Sequence, residues 1–150
     1  MSKAVHQKIL PYCFTFQKHM KSSQHLVAGV LNEISLWMTQ AGTSDEKITN
    51  VQIVLVEALN NIIEHGSDCE GSSLIDIEIT VSNNIIVAQL RDSGIKFTPP
   101  EIMQSPLQYN DDLNDFPEGG FGWFLIRKIT SSVEFTRTAG KNHLVLKFQG

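Results

Sequence analysis

The sequence predicts an α+β two-layer sandwich, with helices packed on one face of a mixed, largely antiparallel sheet. Two pairs of alternating apolar and polar segments carry the sheet: Leu74 to Val81 with Ile85 to Arg91, and Val133 to Thr138 with His143 to Phe148. Helical periodicity in two consecutive stretches before the first pair, and in one between the pairs, supplies the helix layer. A length of 150 residues suits one domain, residues 1–150.

Taken in order, Tyr12, Phe14 and Phe16 alternate with smaller or polar residues and predict a first strand. From Ser22 to about Gln40, Leu26, Val30, Ile34 and Trp37 recur at the spacing of an amphipathic helix. Gly42-Thr43-Ser44-Asp45 breaks it, and Ser44 or Asp45 is placed to cap a second helix from about Glu46 to His65, which stops at Gly66. Asn83-Asn84 reads as the turn of the first hairpin and Ala139-Gly140 as that of the second. Between them, the stretch from Asp92 to Gly120 holds four of the five prolines and precedes a helix from about Phe121 to Ser131. A connection that long inside a compact domain reads as a lid or binding loop, here about residues 97–119.

Composition narrows the function. The formal net charge is −4 with no basic stripe, which argues against a direct nucleic-acid binder. No apolar run reaches the roughly 20 residues that span a bilayer, and the start MSKAVHQKIL has no export signal, so the expected location is the cytoplasm. Cys13 and Cys69 form no CxxC pair and read as reduced, partly buried thiols. The five histidines form no ligand-spaced cluster, which argues against structural zinc.

Three segments carry chemistry. In VQIVLVEALNNIIEHG, Val51, Val54, Leu55, Ala58 and Ile62 share one helix face, while Glu57, Asn60, Asn61, Glu64 and His65 form a separate polar stripe. An ordinary solvated face would favour Lys, Glu, Gln and Arg, whereas two adjacent asparagines each cost about half a kcal/mol of helix propensity. Glu57 and Asn61 sit one turn apart, about 6 Å along the axis. At that spacing Asn61 can give an oxygen to Mg²⁺ while Glu57 accepts a proton from an attacking hydroxyl. In LRDSGIKFTPP, Asp92 follows a strand and Gly94 permits a sharp turn. A carboxylate only accepts hydrogen bonds, so Asp92 can hold the exocyclic amine of adenine and reject the carbonyl of guanine; the plainer alternative is an Asp-x-Gly turn. In EGGFGWFLIRKI, Gly119, Gly120 and Gly122 stand at the start of an apolar helix, where bare backbone and free N–H groups favour a phosphate; the plainer alternative is a hinge. The segment is neither a P-loop nor a dinucleotide fingerprint, and Trp123, Phe124 and Ile126 read as core.

The order and spacing of the three segments resemble the GHKL family of ATP-binding domains. Glu57 to Asn61 resembles the N box, Asp92-Ser93-Gly94 the D-x-G box, and Gly120-Phe121-Gly122 the G-x-G lid box. Within that family the pattern is similar to stand-alone bacterial anti-sigma factor serine/threonine kinases. The matching residues are Glu57-Ala58 with Asn61 and His65, Asp92 through Pro99, and Gly120 through Ile126. The likeness runs from about Phe14 to Phe148. It implies the Bergerat sandwich, ATP with Mg²⁺, commonly a homodimer, phosphorylation of a serine on a STAS-domain antagonist, and sequestration of a sigma factor. By resemblance Glu57 is the general base and Asn61 the Mg²⁺ ligand. Asp92 reads adenine, Gly94 shapes its pocket, and Gly119, Gly120, Phe121 and Gly122 border the phosphates. His65 joins the nucleotide-binding set, and Asn142 stands where many relatives have a threonine near the base.

One departure bears on activity. From Phe97 through Gly122 there is no Lys or Arg, while Glu101, Asp111, Asp112, Asp115 and Glu118 are acidic. Phosphoryl transfer depends on stabilising developing negative charge. The chain therefore reads either as a kinase or as a non-catalytic module whose hold on a regulator is set by nucleotide. The ATPase half of a histidine kinase is the weaker reading, for want of a preceding phospho-acceptor domain.

Overall fold

The computed structural model describes residues 12–66, 73–95 and 121–149, with the side chains of residues 65 and 66 left out of the description. Strand β1 (Cys13–Lys21) is followed by helices α1 (Gln24–Gln40) and α2 (Asp45–Gly66). The hairpin of β2 (Leu74–Ser82) and β3 (Ile85–Asp92) comes next, then α3 (Phe121–Ile129) and the hairpin of β4 (Ser132–Thr138) and β5 (Lys141–Phe148). Each expected element is present, and the long connection between β3 and α3, with its expected lid, lies outside the described residues.

The two helix starts differ in chemistry. Ser44 caps α2: its Oγ accepts from the Lys47 N–H at 3.4 Å and its carbonyl from Ile48 at 3.0 Å, with Asp45 and Glu46 in the first turn complementing the helix dipole. Ser23 precedes α1 without a side-chain cap, its hydroxyl instead meeting His25 Nδ1 at 2.7 Å. The α1 exit is a Schellman closure. Thr43 N–H returns to Met38 O, Gly42 N–H returns to Thr39 O, and Gly42 takes φ 83°.

Five strands form one sheet in the order β1-β2-β3-β5-β4, and every described ladder is antiparallel, so the expected mixed character is absent from this sheet. Both hairpins turn on two residues in the left-handed region: Asn83 (φ 49°) with Asn84 (φ 68°), and Ala139 (φ 52°) with Gly140 (φ 75°). The strands alternate strictly, and one face is core: Ile75, Ile77 and Ile79 on β2, Ile86, Ala88 and Leu90 on β3, Leu144, Leu146 and Phe148 on β5.

Against that face lie Val51, Val54, Leu55, Ala58 and Ile62 of α2, the stripe read from sequence, together with Leu59. On α1 the buried line is Val27, Val30, Ile34 and Met38 rather than the one through Leu26 and Trp37, which are only partly buried. The helix is rotated because Trp37 packs at the flank against Phe16, with ring centroids 5.5 Å apart. Trp123 and Ile126 of α3 are buried and Phe124 packs against the core, as expected. Cys13 is exposed rather than partly buried, because it sits at the open start of an edge strand; Cys69 lies outside the described residues. Among the described residues no helix is long and apolar enough to cross a membrane.

Candidate functional site

The sheet register turns the apolar face polar at one end. The last core-facing row runs Met20, Ile75, Asp92, Asn142, Arg137 across β1, β2, β3, β5 and β4. Its first two members extend the hydrophobic core, and its last three place a carboxylate, an amide and a guanidinium side by side. Asp92 is 6% exposed and Asn142 2%, so their polar atoms need partners inside the protein.

They find them in one another. Asp92 Oδ1 accepts from the Gly94 N–H at 2.9 Å, closing the Asp-x-Gly turn, and from Asn142 Nδ2 at 3.1 Å. Asn142 Nδ2 also donates to the Ile95 carbonyl at 2.9 Å. Arg137 Nη1 donates to Asn142 Oδ1 at 2.7 Å and to the Gly94 carbonyl at 3.1 Å. The plain Asp-x-Gly turn is present, and it holds a buried carboxylate whose Oδ1 is already engaged.

Helix α2 brings its polar stripe to the same end. Gln24, opening α1, donates to Glu64 near the close of α2 at 3.2 Å, and Ser22 N–H bonds the carbonyl of Ser73 just before β2. Those contacts gather the end of β1, the end of α2, the start of β2 and the end of β3. Glu57, Asn60 and Asn61 are half-buried and Glu64 is exposed. Asn61 Nδ2 is buried without a hydrogen-bond partner. Helix α3 meets Glu57 at its first turn: a Cβ built on Gly122 would lie 2.5 Å from Glu57 Oε2 and 3.6 Å from Glu57 Cβ. Any Cβ at this position would push the Glu57 carboxylate aside, and glycine leaves it in place. Phe121 opens α3 with its ring 56% exposed and 6.4 Å from that of Phe124.

Of the residues read from sequence, Glu57 and Gly122 are in contact, and Asp92, Gly94 and Asn142 form one bonded unit. Asn61 stands one turn beyond Glu57, and Phe121 borders Gly122. Gly119, Gly120 and the side chain of His65 lie outside the described residues. Arg137 was missed. Its signal was in the strand pattern, where Val133, Phe135 and Arg137 share one parity and a charge stands in phase with two core residues.

A second polar cluster covers the outer face of the sheet. His143 Nε2 donates to Gln89 Oε1 at 2.9 Å, that oxygen also accepts from Arg91 Nη2 at 2.8 Å, and Gln89 Nε2 donates to Glu78 at 3.0 Å. Desolvation by partial burial, followed by the Arg91 charge, lowers the His143 pKa below its ordinary 6.5, with Glu78 opposing. His19 and Asp76 pair on the same face.

Comparison with known proteins agrees with this architecture. The profile of the histidine kinase-like ATPase domain matches residues 20–148. A serine/threonine-protein kinase, BtrW, of Bordetella bronchiseptica is 25% identical over 114 residues, covering 73% of this chain and 79% of that protein. The anti-sigma F factor of Clostridium perfringens is 25% identical over 101 residues, covering 67% and 71%. The serine-protein kinase RsbW of Oceanobacillus iheyensis is 27% identical over 109 residues, covering 71% and 69%. Among solved structures, that of the RsbU and RsbW domains of a Mycobacterium tuberculosis protein superposes with a TM-score of 0.62 at 14% identity, a likeness of fold. It covers 89% of this chain, which spans about a third (32%) of that longer one. With the profile covering the sheet and all three helices, from the end of β1 to the end of β5, the chain belongs to the histidine kinase-like ATPase domain family.

Proposed function

We propose that the chain binds ATP with Mg²⁺ and acts as a serine/threonine protein kinase on a STAS-domain antagonist of an anti-sigma factor. In this reading it works in the cytoplasm, forms a homodimer and also holds a sigma factor. The observation that carries the reading is the approach of Gly122 to Glu57, which sets the start of a glycine-led helix directly over a carboxylate. The kinase and anti-sigma names of the relatives support it.

The residues present fit the nucleotide. An amide nitrogen buried without a partner, as Asn61 Nδ2 is, is rare in a folded protein and marks a place for a missing polar neighbour. As drawn, its Nδ2 suits a phosphate oxygen; rotated by half a turn, its oxygen suits Mg²⁺. Asp92 would hold the base within the turn that Gly94 closes, and Gly119, Gly120, Phe121 and Gly122 would border the phosphates. His65 would complete the nucleotide-binding set. Asn142 would act from behind Asp92, since both ends of its amide already have protein partners. Bound Mg²⁺–ATP supplies the phosphoryl group. Glu57 takes the proton of the attacking serine hydroxyl on its carboxylate, and the half-buried site limits competition from water.

A second reading, a nucleotide-set binding module without transfer, is favoured by the segment from Phe97 through Gly122, which has five acidic residues and no Lys or Arg. Incubation with γ-labelled ATP, Mg²⁺ and a STAS-domain protein encoded beside it separates the two. Label on the STAS protein that vanishes in Glu57→Gln supports the kinase. Tight ATP binding without label supports the module, and no ATP binding removes both.

A further inference from the structure

We propose that Arg137 is a positioning residue that sets base selectivity at this site, an inference resting on the reading of Asp92 as the adenine contact. Arg137 stands on the edge strand β4, with β5, which carries Asn142, beside it and β3, which leads into Gly94, next beyond. From there one nitrogen, Nη1, serves both the Asn142 side chain and the Gly94 backbone.

A guanidinium donates and never accepts. Asn142 must therefore turn Oδ1 toward Arg137 and Nδ2 toward Asp92 and the Ile95 carbonyl, both of which only accept. The orientation of that amide, often ambiguous in a protein, is fixed on both sides by chemistry. Its consequence passes to Asp92. With Oδ1 taken by Asn142 and by the Gly94 N–H, the carboxylate meets a ligand through Oδ2, an acceptor that welcomes an amine and repels a carbonyl. The bond to the Gly94 carbonyl ties the turn itself to β4.

Removing the guanidinium frees Asn142 Oδ1 and the Gly94 carbonyl together. Asn142 keeps its bonds to Asp92 and to the Ile95 carbonyl but loses its outer anchor, so the Asp92 carboxylate and the turn are held less firmly in place against a base. Purine discrimination should suffer before folding does, because Arg137 lies on an edge strand and is only partly buried.

The test compares dissociation constants for ATP and GTP, with thermal melting as control, in the parent, Arg137→Met, Arg137→Leu and Arg137→Lys. Methionine keeps the apolar stem and removes every donor. The expected result is a loss of about tenfold in ATP affinity and a matching fall in the ATP-to-GTP ratio in Arg137→Met, as for a charged hydrogen bond, with partial recovery in Arg137→Lys. Should Arg137→Met fail to fold, Arg137→Leu, which also has no donor, is read in the same way. An unchanged ratio in a folded Met or Leu variant, beside a parent that prefers ATP, overturns the role of Arg137 and leaves nucleotide binding standing. A parent that binds neither nucleotide overturns both.

Discussion

Gly122 touches the carboxylate of Glu57 across sixty-five positions of sequence, and the space between the two helices at that point is smaller than a methyl group. The atom a new Cβ would strike is the tip of a flexible side chain, not backbone. Gly122→Ala should therefore fold with a melting temperature within a few degrees of the parent while turning the carboxylate aside. Misplacing a catalytic group by about 1 Å costs on the order of 100-fold in rate. The expected result is ATP affinity within about threefold of the parent and phosphoryl transfer reduced by about two orders of magnitude. Equal losses in binding and transfer would mean that Gly122 serves only the phosphates.

Asp92→Asn changes one oxygen to an amide at constant volume. The variant can still accept the bonds from Gly94 and Asn142 through its remaining oxygen, so the turn survives. Toward the ligand it presents a donor, which faces the donor of adenine. ATP affinity should fall by about 100-fold or more with little change in melting, measured by calorimetric titration. Retained affinity would remove Asp92 from the base contact.

Ala139 holds φ 52° in the β4–β5 turn, a region that costs an L-residue with a Cβ about 1 kcal/mol. Asparagine tolerates it better and favours two-residue turns of this type. Ala139→Asn should raise stability by about 0.5–1 kcal/mol in a denaturant titration. A lower midpoint would show that the turn is not strained.

His143 gives the outer face of the sheet a dependence on pH. Its pKa in the folded protein lies below 6.5, so the unfolded chain binds more protons in the interval just beneath 6.5. The stabilisation from a neutral His143 is fully present above that value and is lost as pH falls through the folded pKa. Urea midpoints measured downward from pH 7 should decline through this window and decline less in His143→Gln. Identical slopes in the two proteins would exclude His143 as the source.

The elements were legible because their signals are local. Period and punctuation placed three helices and two hairpins, and Asn83-Asn84 and Ala139-Gly140 turned where turn chemistry said. Phase along α1 was not, since Leu26 and Val27 are equally apolar and the choice between them belongs to Phe16 on another element. At the site, Glu57, Asp92 and Gly122 were readable as residue types, but which atoms touch depends on register. Asn142 stands near the base only by resemblance in the sequence, and its bond to Asp92 becomes visible once β5 lies beside β3. Arg137 carries no motif at all, and only strand parity hinted that it faces inward.

The strand order has a consequence for how the protein is made. β5 emerges last, yet it lies inside the sheet, between β3 and β4. Until it leaves the ribosome, β4 has no neighbour, β3 has one open edge, and Asp92 lacks the side chain that holds it. A nascent chain halted before β5 thus owns every residue of the three sequence boxes without the Asn142 side chain that braces Asp92. In the proposed nucleotide reading, the base contact is completed only when β5 takes its place between β3 and β4.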